Sequence, residues 1–104
     1  MISIIEKYNQ VEKIINRDLV MIIAKSHTCT TCNTIANILD NNMSHFDKID
    51  KYNIYIDDVE EFRGEYLIFS VPTVLIFSEG KELLRQSRYF DYAKIDRLIE
   101  MFSS

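Results

Sequence analysis

The chain has 104 residues, of which 47% are hydrophobic, and a formal net charge of -4. That supplies apolar material for one core, so a single domain over residues 1–104 is expected. Its 12 Lys and Arg residues are scattered among 16 Asp and Glu, which argues against the basic patch that nucleic acid requires.

The opening run "MISIIEKYNQ" meets charge at Glu6 and Lys7 before seven apolar residues accumulate, so no signal peptide is read. The longest apolar run, Leu19 to Ala24, is too short to span a bilayer. The default reading is a cytoplasmic protein with neither a membrane nor a nucleic-acid partner.

Ile2 to Ile5 is short enough for an edge strand or a helix start, and Tyr8, Val11, Ile14 and Ile15 follow helical spacing. "LVMIIAK" from Leu19 is a continuous, partly β-branched apolar run, the pattern of a central strand buried on both faces. Ile35, Ile38, Leu39 and Met43 share one helical stripe, predicting a helix of about three turns from near Cys29 to the "DNN" at Asp40. "YNIYI" at Tyr52 to Ile56 is the next strand. "DDVEEF" after it places acids where a helix N-terminus favours them, a solvated first turn rather than a docking surface.

"TVLIF" from Thr73 and "ELLRQS" from Glu82 form a hairpin whose turn, "SEGK", relies on Gly80. In "YFDY", Asp91 caps a last helix and Phe90 staples onto Ile95, a capping and core role rather than a ligand cage. Tyr92, Ile95, Leu98, Ile99 and Phe102 make its apolar stripe. The sum is an α/β fold: a mixed sheet of four to five strands covered by helices on both faces, with right-handed crossovers first and an antiparallel hairpin last.

The chain's two cysteines, Cys29 and Cys32, stand three apart in "HTCTTCN". In a reducing compartment such a pair points to catalysis or metal rather than to a structural disulfide. A cysteine at a helix start is stabilised as thiolate by free N–H groups and the dipole, which makes Cys29 the nucleophile. Helical Cβ atoms three apart lie roughly 5–6 Å from each other, beyond the ~4 Å that a disulfide needs, so the pair closes only if Cys29 sits at a non-helical cap. Cys32, one turn inside, would resolve the mixed disulfide.

Two alternatives stay open on the residues alone. The cysteines could be two buried small residues, or zinc ligands with His45, at C-x2-C-x12-H spacing, and His27. No second histidine follows His45, where "FDKID" stands instead. His45 reads otherwise as a solvated loop residue, and His27 as an exposed one that tunes Cys29.

A CxxC between a buried strand and a helix, followed 40 residues after Cys32 by "VPT" at the head of an apolar strand, resembles the thioredoxin superfamily over nearly the whole chain. The resemblance implies a thioredoxin-like fold and thiol–disulfide oxidoreductase activity reducing protein disulfides. It needs no organic or metal cofactor. Cys29 and Cys32 would be catalytic, and Thr28, Thr30, Thr31, Val71 and Pro72 would line the substrate site. The Val71–Pro72 bond would be cis, and the backbone of Val71 would pair with an extended substrate.

A flavin-dependent reductase or a low-molecular-weight thiol would regenerate the dithiol, and the protein would act as a monomer. The chain departs from thioredoxins proper at several points. Thr28 replaces a tryptophan and Thr30-Thr31 a Gly-Pro, while Ile23 stands for a buried carboxylate, Asn53 for a lysine and Arg88 for a glycine. The rival to an enzyme is a binding or adaptor protein with a slow dithiol.

Overall fold

The computed structural model describes residues 2–103. Five strands make one sheet: β1 (Ser3–Ile5), β2 (Val20–Lys25), β3 (Asp50–Tyr55), β4 (Thr73–Ser78) and β5 (Lys81–Gln86). The order across the sheet is β1-β3-β2-β4-β5, with β1, β3 and β2 parallel and β4 and β5 antiparallel to their neighbours. Four helices cover it: α1 (Val11–Ile15), α2 (Ile35–Asn42), α3 (Glu60–Glu65) and α4 (Tyr92–Ser103). Among the described residues no helix is long and apolar enough to cross a membrane.

Alternation along β2 divides the core in two. Val20, Ile22 and Ala24 pack with Leu75, Phe77, α1 and α3, whereas Met21 and Ile23 pack with Val74, Ile76, α2 and α4. All six β2 residues are buried, as the unbroken apolar run predicts for a strand covered on both sides. The hairpin between β4 and β5 turns through Glu79 and Gly80, both at positive φ, the geometry of a two-residue type I′ turn. Its two tip N–H groups donate to the carbonyls of Arg17 and Ile15 at 2.8 Å, so the hairpin is fastened to the end of α1.

Several boundaries and faces differ from the sequence expectation. The third strand begins at Asp50 rather than Tyr52, because Val20 and Met21 of β2 pair with Asp50 and Lys51. The helix expected from near Cys29 is split into a 3-10 turn over Thr31–Asn33 and α2 from Ile35. The Thr34 hydroxyl and N–H both donate to the carbonyl of Thr31, drawing the backbone into the tighter i→i−3 pattern.

Ile38 and Phe102, placed on apolar stripes, are exposed at the rims of their helices. Asp91 caps α4 as expected, accepting from the N–H of Lys94, and Phe90 and Tyr92 pack on the core while Tyr89 stands 90% exposed. His45 is not a solvated loop residue. Its N–H donates to Asp96 at 2.7 Å, and its Nδ1 faces the same carboxylate at 3.1 Å without hydrogen-bond alignment, which ties the loop before β3 to α4. Burial alone would raise the Asp96 pKa, but the backbone N–H and imidazole of His45 outweigh it and hold the carboxyl below its usual range.

Lys25 closes β2 with 6% of its surface exposed; its carbonyl accepts the N–H of Ile56 at 2.8 Å, while its ammonium has no hydrogen-bond or ion-pair partner among the described residues. Burial pushes its pKa below the ordinary 10.5. The folded chain therefore gives up this proton at lower pH than the unfolded chain, and stability rises with pH between the two values. Lys25→Met is expected to stabilise the fold by about 1 kcal/mol at neutral pH, an advantage that narrows as pH approaches 10. Urea midpoints of the two proteins measured across pH 7 to 10 check the sign, and a variant less stable than its parent at pH 7 contradicts it.

Candidate active site

The redox loop leaves the carboxyl end of β2. A turn closed by the Cys29 N–H donating to the carbonyl of Ser26 brings the chain round, and Cys29 lies outside any helix, two residues before the 3-10 turn. Cys29 is therefore non-helical, as closure requires, but the cap position itself is held by Thr30, one residue further on. Cys29 and Cys32 are joined as a disulfide, with Cα atoms 5.4 Å apart. Cys29 is partly exposed and Cys32 fully buried.

Cys29 Sγ accepts the N–H of Cys32 at 3.2 Å. It lies 3.3 Å from the hydroxyl of Thr31, which is the donor of that pair because a disulfide sulfur carries no hydrogen. Two donors thus converge on the sulfur that would bear negative charge once reduced, and local groups supply the anion stabilisation that a helix terminus was expected to give.

Across from the disulfide, the Val71–Pro72 peptide bond is cis, and Cys29 Sγ lies 3.9 Å from the Val71 carbonyl oxygen. The Thr73 hydroxyl donates to the carbonyl of Ser70 at 2.6 Å and fixes the turn that presents Val71. Of the other predicted residues, Thr28, Thr30 and Thr31 are exposed around Cys29, with the Thr28 hydroxyl 3.2 Å from that of Ser26.

Ile23 and Asn53 face each other in register between β2 and β3. Ile23 is fully buried, and the Asn53 Oδ1 is buried without a hydrogen-bond partner. Neither position offers a carboxylate. Arg88 is exposed, beyond the end of β5.

His27 does not join the cysteines. Its Nε2 pairs with Asp58 at 2.8 Å, its ring stacks on Tyr55 with centroids 4.0 Å apart, and its N–H donates to Asp57 at 3.0 Å. The hydrogen bond to Asp58 is the main reason its pKa is raised, partial burial opposing and the charges of Asp57 and Asp58 adding to it. Among the described residues the close cluster of possible metal donors is His27, Asp57 and Asp58. The zinc set of Cys29, Cys32, His27 and His45 is not brought together, because each histidine is taken up by an aspartate.

A cleft of about 430 Å³ opens beside the disulfide, between Thr28, Val71 and the start of α3. Ile56, Glu60, Arg63, Phe69 and Ser70 also line it, and sequence reasoning assigned none of them to the site. Their signal was positional, since parallel strands open their crevice at their carboxyl ends and these residues follow β3 or precede β4. Phe69 is 86% exposed and stands just after Leu67, a non-glycine residue at positive φ. Leu67 ends α3 in the left-handed cap conformation, with the Ile68 N–H returning to the Arg63 carbonyl at 3.0 Å.

Solved structures share this architecture. The thioredoxin of Malassezia sympodialis superposes with a TM-score of 0.79 at 21% identity, covering 100% of this chain and 92% of its own. That of Plasmodium falciparum gives 0.78 at 22% identity, covering 96% and 98%. At sequence level, the thioredoxin-like protein YdfQ of Bacillus subtilis is 31% identical over 72 residues, which span 69% of this chain and 64% of that relative. The sequence model of the Thioredoxin family matches residues 2–103. A sheet of order β1-β3-β2-β4-β5, a CxxC at the end of β2 and a match across essentially the whole chain lead to one conclusion: this protein belongs to the thioredoxin family.

Proposed function

We propose that this protein, a single domain working in the cytoplasm, is a thiol–disulfide oxidoreductase that reduces protein disulfides. The observation that carries the reading is the arrangement of the pair, one sulfur partly exposed against the Val71 backbone and the other buried behind it. The Cys29 thiolate attacks one sulfur of a substrate disulfide. A mixed disulfide forms and the first substrate thiolate leaves.

The Cys32 thiolate then attacks Cys29 Sγ, the Cys29–Cys32 disulfide closes and the second substrate thiolate leaves, so two electrons pass from dithiol to substrate. Thr28, Thr30 and Thr31 flank the attacking sulfur, while Val71 and Pro72 offer an extended edge for the substrate backbone. A flavin-dependent reductase or a low-molecular-weight thiol reopens the disulfide. A dithiol that is the chain's whole cysteine complement suits a reducing compartment.

The experiment is insulin reduction in dithiothreitol, together with the pH profile of Cys29 alkylation. The protein is expected to accelerate reduction over reagent alone, Cys29→Ser to abolish the acceleration, and the alkylation midpoint to fall below the free-thiol value of about 8.5. No acceleration, or a raised midpoint, would leave a binding protein with a slow dithiol as the better reading.

A further inference from the structure

The cleft beside the disulfide carries charges that the exchange chemistry does not use. Glu60 and Arg63 stand one turn apart on α3, both lining the cleft, and neither the Glu60 carboxylate nor the Arg63 guanidinium has a hydrogen-bond or ion-pair partner among the described residues. Asp57, also on the cleft, is engaged by the His27 N–H. The hydroxyls of Ser26 and Ser70 complete the polar lining. A ligand of one charge sign would answer one of the two α3 groups and leave the other to be desolvated against it. A ligand bearing both signs answers both, and the cleft's volume lies within the range of small-molecule sites.

We propose that Arg63 and Glu60 select small disulfides carrying a carboxylate and an ammonium group close to the sulfur, so that the dithiol also reduces amino-acid-type disulfides. The proposal rests on the redox reading above. The ligand carboxylate pairs with Arg63 and its ammonium with Glu60, which brings its sulfur toward Cys29 between Thr28 and Val71. The Cys29 thiolate attacks that sulfur and one small thiolate departs. Cys32 then closes on Cys29 and releases the second, so the protein dithiol is oxidised by two electrons as the ligand disulfide is reduced, with protons for the leaving thiolates drawn from water.

The test uses the pre-reduced protein in single-turnover oxidation by four disulfides of one backbone: L-cystine, cystamine without the carboxylates, 3,3'-dithiodipropionate without the ammonium groups, and neutral hydroxyethyl disulfide. Each rate is divided by that of the same disulfide with free dithiothreitol. Cystine is expected to exceed both singly charged analogues at least about fivefold, the scale of one surface ion pair. Arg63→Gln should bring cystine down to the level of cystamine, Arg63→Lys should restore the preference in part, and Glu60→Gln should bring cystine down to dithiodipropionate. Equal normalised rates in the parent, or ratios untouched by both glutamine variants, overturn the proposal while leaving the redox reading in place. Failure of all four disulfides to oxidise the dithiol overturns the redox reading and this proposal with it.

Discussion

Cys32→Ser is expected to form a mixed disulfide at Cys29 and to remain in it, with turnover falling at least about a hundredfold. The resolving sulfur in the native chain is held next to its target by a loop of two intervening residues, Thr30 and Thr31, and well-oriented intramolecular groups reach effective molarities on the order of 10⁵ M or more. A millimolar thiol from solution cannot replace that. Cys32 is fully buried, so a bulky external thiol would have to approach Cys29 from the cleft side, where the substrate already sits. Mass spectrometry of the variant after exposure to a disulfide substrate should show a stable adduct on Cys29, and Cys29→Ser should show none. Turnover by Cys32→Ser equal to that of the parent would remove the resolving role.

The largest expected loss of stability comes from Phe62→Ala, about 3–5 kcal/mol from the buried ring and the cavity it leaves. Phe62 is fully buried, stacked on Tyr66 with ring centroids 4.7 Å apart, and Tyr66 meets Phe77 of β4 edge-on at 5.7 Å. α3 has six residues, of which Phe62 is the buried one, so this ring is its main hold on the sheet. Domains of this size are stable by about 5–15 kcal/mol, which makes the change severe. Thermal unfolding should shift down by at least about 12 °C, and a shift of a few degrees would contradict the assignment of α3's anchorage. Because Glu60 and Arg63 ride on the same helix, the variant should also lose discrimination among small disulfides.

The parts of this fold that were legible in the sequence are those decided by neighbours in the chain. "LVMIIAK" is apolar at every position but the last, and only a strand covered on both faces accommodates that. Gly80 and Pro72 marked backbone geometry that few other residues adopt. What failed depended on groups distant in sequence or on competition within the backbone. Ile38 and Phe102 lie at the correct helical angle, but whether a rim position is covered depends on the element beside it.

His45 finds Asp96 across 51 residues of chain, a meeting no local pattern announces. Thr34 pulling its own turn into 3-10 geometry is a contest between side chain and backbone that a hydrophobic stripe does not register. Lys25, the one charged residue of the run, is buried with it. At the site, the two cysteines were legible because their spacing is chemical; the cleft walls were not, because Ser26, Glu60, Arg63 and Phe69 acquire meaning only when two separate loops are folded against each other.

The crossovers leaving β2 and β3 depart from the same end of the sheet and pass to opposite faces, since α2 covers one side and α3 the other. The two loops therefore part at the point where the disulfide and its cleft lie, and neither contributes a strand to the core there. Thr28 and Thr30 on one loop, and Glu60 and Arg63 just past the other, are all exposed and lie outside the packed core. Such a layout lets one scaffold exchange its clientele at little cost in folding, while the electron-transfer pair stays in place.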